Sequence, residues 1–204
     1  MNFLLMKPLR FIAGVLIASF SLQAQASLLE LDDAGGFVPM HMDNDFFFDI
    51  APGYNIGGNL YATSFLDITF SYIGYEAAYN NDFNAYGQSL NNKSNTEGDS
   101  FTVFNVGPEL LDFGFYSNTI NLGIDNGDNQ DFGAWQSFAT ILDFTYLGTF
   151  YDAIIMFDDS GAGPDDDHDD YIIGVNVTSV PEPSIIALFA AGLFGIGYAR
   201  RRKA

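Results

Sequence analysis

Between Phe157 and Tyr171 the chain packs seven aspartates into thirteen residues, with Gly161, Gly163, Pro164 and His168 among them. Carboxylates at that density repel one another unless backbone donors or a cation offset the charge. A hard divalent ion such as calcium takes six to eight oxygen ligands and suits such a loop. Asp165, Asp167 and Asp169 have the spacing that opens an EF-hand loop, but Asp170 stands where that loop needs glycine. Asn176 replaces its closing glutamate. An EF-hand is excluded, and a calcium-binding β-hairpin loop is the chemistry left open. Its expected ligands are Asp158, Asp159, Asp165, Asp167 and Asp169, with Asp166 and Asp170 pointing outward. The competing reading is a solvated acidic turn that protects a sheet edge from aggregation.

Other candidates carry less. Asp125-Asn126-Gly127-Asp128-Asn129-Gln130-Asp131 offers oxygen ligands at short spacing, but the same residues make ordinary tight turns. Met40-His41-Met42 lies in a segment without cysteine or a second nearby histidine, and it reads as a surface turn. Nucleophile–base catalysis needs a histidine, and only His41 and His168 exist. Carboxylates around His168 favour its protonated form, which suits a counter-ion better than a general base. A carboxylate pair could cleave glycosides, yet no motif selects one pair. No zinc spacing and no phosphate-cradling glycine loop occurs. The chain is expected not to be an enzyme.

These groups must be positioned by strands, because helical periodicity is scarce. Leu66, Ile68, Phe70 and Tyr72 alternate with polar residues, as do Tyr171, Ile173, Val175 and Val177. Phe101 to Val106 and Asp112 to Tyr116 also read as strands. Ala153-Ile154-Ile155-Met156-Phe157 is apolar throughout and suits a strand covered on both faces. Glycine, asparagine and aspartate clusters at 57–59, 91–95 and 125–129 separate these runs. Short strands at even spacing predict an all-β domain, a β-sandwich or jelly-roll-like fold. Leu66-Asp67-Ile68-Thr69-Phe70 and Leu142-Asp143-Phe144-Thr145-Tyr146 share one alternation, expected of two edge or surface strands. Tyr54, Tyr61, Tyr75, Tyr79, Tyr86 and Trp135 are expected mostly in the core or at its rim, the alternative being a sugar-stacking face.

Both ends read as addresses. Lys7 and Arg10 precede the apolar stretch Phe11 to Leu22, and Ala24-Gln25-Ala26 supplies small residues for signal-peptidase cleavage after Ala26. Residues 1–26 are thus an expected signal helix, 27–179 an exported acidic domain, and 180–204 a sorting tail. In that tail Pro181-Glu182-Pro183 precedes the apolar run Ile185 to Ala199, read as a transmembrane helix. Arg200, Arg201, Arg202 and Lys203 then form a cationic stop that holds its end in the cytoplasm. Between 27 and 180 the only base is Lys93, against 25 acidic residues. That excess repels nucleic acid and anionic surfaces. The aromatic content of 16% argues against disorder, and the absence of cysteine leaves stability to the core and to ions.

The tail resembles the PEP-CTERM sorting signal of Gram-negative bacteria. That resemblance implies Sec export, signal-peptidase cleavage, and processing by exosortase, a membrane-embedded transpeptidase-like enzyme. It also implies transient membrane anchoring before release to the surface or extracellular material. The segment from Ala153 through His168-Asp169-Asp170 is similar to the aspartate-rich end of DUF4114-type β domains, for which the resemblance implies calcium association. Phe70 to Asn81 looks like a further shared segment. The expected function is an exported structural protein of the surface or extracellular matrix, associated with exopolysaccharide. Alternatives are a calcium-dependent carbohydrate-binding module and, less favoured, a glycan hydrolase.

Overall fold

The computed structural model describes residues 27–32, 35–128, 136–159, 167–181 and 183–201. The signal segment, Asp131, Trp135, Asp165, Asp166, Glu182, Arg202 and Lys203 therefore lie outside the described residues. The fold is mostly β, as the alternations predict. The strands are β1 (Leu29–Leu31), β2 (Phe37–Pro39), β3 (Gly53–Ile56), β4 (Leu60–Ala62), β5 (Leu66–Gly74), β6 (Asn81–Ala85) and β7 (Gln88–Asn91). After them come β8 (Ser100–Val106), β9 (Phe113–Ser117), β10 (Leu122–Asp125), β11 (Ser137–Tyr146), β12 (Thr149–Asp158) and β13 (Tyr171–Ser179). One helix, α1 (Pro183–Arg201), closes the chain.

Seven strands form one antiparallel sheet in the order β2-β3-β11-β12-β13-β5-β8, and four form a second in the order β10-β9-β6-β7. A small ladder pairs β1 with β4. The two larger sheets face each other across an aromatic core. Phe115 of β9 stacks on Phe157 of β12 at 4.8 Å and 5° between planes, and Phe70 of β5 meets Phe83 of β6 at 5.2 Å. This layering fits the expected sandwich, although sheets of seven and four strands are not the eight-stranded double Greek key of a jelly roll.

A second core covers the other face of the large sheet. Ala139, Ile141, Ile154, Met156 and Ile172 pack there under Met40, Phe47 and Ala51. That cover is an irregular cap, residues 40–52, tied by Asn44, whose Oδ1 accepts the N–H groups of Phe46 and Phe47 at 3.2 and 2.7 Å. Phe47 has no exposed surface and touches Phe144 and Tyr146. Met40, expected at a surface turn, is part of this core, whereas His41 is half-buried and Met42 exposed. Cover on both faces explains why β12 is apolar without alternation from Ala153 to Phe157.

Two corrections to the expectations follow. Of the two similar runs, 66–70 in β5 is not at an edge, since it lies between β13 and β8, whereas 142–146 in β11 runs past β3, which pairs β11 only at Ala139 and Thr140. The alternation of β5 reflects the sandwich core on one face and half-covered residues on the other. At the C-terminus, α1 runs 19 residues, but among the described residues no helix is long and apolar enough to cross a membrane. The expected transmembrane helix is not met, because its apolar run of 15 residues rises only ~22 Å against a ~30 Å hydrocarbon core.

Candidate functional site

The acidic loop joins β12 to β13 at one end of the large sheet, and the structure buries what it describes there. Asp158, Asp159, Asp167, His168 and Asp169 are each at most 3% exposed, and Asp170 is 6% exposed. Asp170, expected to point outward, turns inward because its Oδ2 accepts the Asp159 N–H at 2.7 Å across the base of the hairpin. Asp169 Oδ2 accepts the Asp45 N–H of the cap at 2.7 Å, and its carbonyl accepts Glu76 N–H at 3.1 Å. Asn44 Nδ2 donates to the Asp167 carbonyl at 2.8 Å. The loop is thus held by backbone donors from segments far away in sequence, and it is not a solvated turn at its described positions.

Burial has an electrostatic cost. It is the main reason the Asp170 carboxyl is pushed up to about 8, with the charges of Asp159, Asp158 and Asp167 adding to it against the Asp159 N–H bond. Burial likewise raises Asp169 to about 6, opposed by the Asp45 N–H and the Asp167 side chain and reinforced by Glu76 and Asp170. Lys93, the domain's single base, is engaged elsewhere, with Nζ on the Ala77 carbonyl at 2.8 Å and 4.2 Å from the centre of the Tyr75 ring.

Four of the five expected metal ligands, Asp158, Asp159, Asp167 and Asp169, lie among the described residues. Among the described residues no group of three or more His, Cys, Asp or Glu side chains is arranged to hold a metal ion. Strand alternation is the reason. Phe157 belongs to the inter-sheet core and Met156 to the cap-side core, so Asp158 and Asp159 face opposite sides of the sheet. Asp159 lies on the inter-sheet side, where its Oδ2 accepts Asn81 Nδ2 at 2.5 Å. Asp169 reaches the cap instead. Asp165 lies outside the described residues.

Beside Asp159 the inter-sheet end holds oxygens that the sequence did not single out. Asn81 and Ser117 are cross-strand partners in β6 and β9, both with no exposed surface. Asn81 Oδ1, Ser117 Oγ and the fully buried Tyr171 hydroxyl have no hydrogen-bond partner. Unpartnered buried oxygens next to a carboxylate are the donor set a hard cation or an ordered water satisfies.

His168 is fully buried at φ 59°, with Nε2 2.7 Å from Ser137 Oγ and its ring 5.3 Å from that of Tyr54. The spacing suits a nucleophile and base, but Ser137 is itself only 5% exposed. A substrate would have to reach a pair packed inside the domain. In the second acidic turn, Asn126 is a structural bridge. Asn126 Oδ1 accepts Leu60 N–H at 2.9 Å, while Nδ2 donates to the carbonyls of Leu60 and Leu111, both at 2.8 Å.

The tail begins where β13 ends. Val180 N–H still bonds the Phe65 carbonyl at 2.8 Å, Pro181 is exposed, and α1 starts at Pro183. Residues 179–203 match the model of the PEP-CTERM protein-sorting motif. That motif implies an exported protein, transiently anchored at the membrane and processed by exosortase. It covers the tail alone, so the likeness of the mature domain to DUF4114-type domains stays a resemblance. No curated protein and no solved structure matches the chain significantly.

Proposed function

We propose that this chain is an exported, non-enzymatic β-sandwich protein that serves as a structural component of the cell surface or extracellular matrix after exosortase processing. Calcium stabilises its acidic end. The observation that carries the reading is the sorting motif joined without a linker to the last strand of a folded, acidic sandwich. In support of the calcium part stand the density of buried carboxylates and the unpartnered Asn81 Oδ1 beside Asp159. Asp159 and Asn81 would hold the ion on the inter-sheet side, with Asp165 and Asp167 as the remaining candidates, whereas Asp158 and Asp169 face the cap side. Bound there, it would supply charge neutralisation and no chemistry. Signal peptidase and the Sec machinery would act on residues 1–26, and extracellular polysaccharide is the proposed matrix partner.

Sorting is tested by replacing Pro181, Glu182 and Pro183 together with alanine. The variant is expected to be exported but retained in the membrane with its tail, as read by the mass of its C-terminus. Normal processing would overturn the exosortase reading.

A further inference from the structure

The two ends of the large sheet differ in kind. β13 starts at Tyr171 beside the buried carboxylates and ends at Ser179, where the sorting motif begins. Nine residues of strand separate these ends by ~30 Å. At the tail end, strand register gathers particular neighbours. Ser179 pairs with Leu66 at the start of β5, and Leu66 pairs with Val106 at the end of β8. The β11–β12 hairpin turns at the same end, and Asn176 Nδ2 donates to the Phe150 carbonyl at 2.8 Å, tying the hairpin to β13.

This end displays large apolar side chains to solvent. Leu147 at the hairpin tip is 85% exposed, Phe104 in β8 is 72% exposed and Phe150 in β12 is 50% exposed. Two nearby carboxylates are turned to backbone donors: Asp67 accepts Asn105 N–H and Asp152 accepts Val177 N–H, each at 2.8 Å. Asp143 remains exposed on β11.

We propose that Leu147, Phe150 and Phe104 form a membrane-contact rim that seats the tail end of the sheet in the bilayer interface, at the boundary between headgroups and acyl chains. Continuity with the tail selects this occupant. Only two residues, 181 and 182, separate Val180 from α1, so even a fully extended link holds the sheet within ~10 Å of the helix start. The apolar run is too short for the hydrocarbon core, and a short segment draws its flanks inward or thins the bilayer. Either response brings the hairpin tip to the interface, where apolar and aromatic groups are stabilised. The acidic end is then held away from the lipid surface. The inference rests on the membrane seating that the sorting motif implies, and not on calcium.

The chain contains no cysteine, so a single introduced thiol reports one place. The full-length chain carrying Thr149→Cys with an environment-sensitive dye is reconstituted in phosphatidylcholine vesicles and recovered by flotation. Lipids with a quencher near the headgroup are expected to quench this dye at least threefold more than one at Ser94→Cys, an exposed position toward the acidic end. Leu147→Glu, Phe150→Glu and Phe104→Glu combined, all at exposed sites, are expected to abolish that difference while leaving the floated fraction and near-UV circular dichroism unchanged. Equal quenching at 149 and 94, or a difference that survives the triple substitution, would overturn the proposal. Protection of the dye that grows with protein concentration in lipid-free micelles would assign the rim to a second copy of the chain and overturn it equally.

Discussion

Asp170→Asn separates the electrostatics of the acidic end from its hydrogen bonding. The substituted amide can still accept the Asp159 N–H through its oxygen, and only the titratable proton is lost. In the folded protein Asp170 titrates at about 8 against an ordinary 3.8. The folded state therefore holds a proton that the unfolded chain has released across that window. A carboxyl raised on folding contributes most favourably below its unfolded value, and stability falls as pH rises through the folded value. One such proton gives a slope of ~1.4 kcal/mol per pH unit. Asp169, raised to about 6, adds a second proton over the lower part of the range. The wild-type chain in EDTA is expected to lose stability as pH rises from 4 to 8, more steeply in the lower part of that range, where both carboxyls hold protons that the unfolded chain has released. In the variant one proton's worth of slope disappears throughout, and at pH 8 the variant is the more stable protein. Urea titrations of the full-length chain in neutral micelles at pH 5, 6, 7 and 8 measure this. Parallel pH dependences for the two proteins, or a wild type that gains stability from pH 6 to 8, would refute the argument.

Calcium that binds only the folded state is expected to stabilise it by ~2.7 kcal/mol at a hundredfold excess over Kd. The gain should be larger at pH 8 than at pH 6, because the ion competes with the same protons, and should shrink in Asp159→Asn. Thermal melts at matched ionic strength with calcium or EDTA decide this, and equal midpoints would leave the carboxylates to their backbone donors alone. Asn126→Ala takes the side-chain acceptor from the Leu60 N–H and one of two donors from the Leu60 and Leu111 carbonyls, which keep the Leu111 and Phe113 N–H groups, so a loss of ~1–3 kcal/mol is expected in urea denaturation. A Cβ at Gly174 would stand 2.3 Å from Cε1 of Tyr151. Gly174→Ala is expected to cost ~1–3 kcal/mol, and Tyr151→Ala in the same chain should recover part of it, as a double-mutant cycle would show.

Strands whose two faces differ were readable in sequence. The alternation from Leu66 to Tyr72 places β5, and the unbroken run from Ala153 to Phe157 marks a strand covered on both faces. What covers the second face was not readable. The cap at 40–52 has no period, and Phe47 finds its pocket through Phe144 and Tyr146, about a hundred residues later. Asparagine misled in a consistent way. In sequence Asn92 and Asn126 look like turn residues, yet each is buried as a bridge between segments, as is Asn81, and only long-range register reveals such a role. The burial of the acidic loop was hidden for the same reason. Seven aspartates suggest water or a metal, whereas the donors that hold Asp169 and Asp170 come from Asp45, 124 residues away, and from the opposite arm of the hairpin. Ser137 and His168, 31 residues apart, gave no motif that would join them.

Strand β13 is an interior strand, bonded to β12 over Ala153 to Phe157 and to β5 over Leu66 to Gly74. If the proposed attachment is through the C-terminus, a pull on it enters that strand, along its axis. Such a pull shears the ladders of two neighbours at once and loads their hydrogen bonds together, whereas a tether on an edge hairpin would open them one by one. Resistance to forced unfolding is a matter of rate, set by the barrier to that first rupture. Attachment through β13 would therefore load the sandwich in shear along two ladders at once.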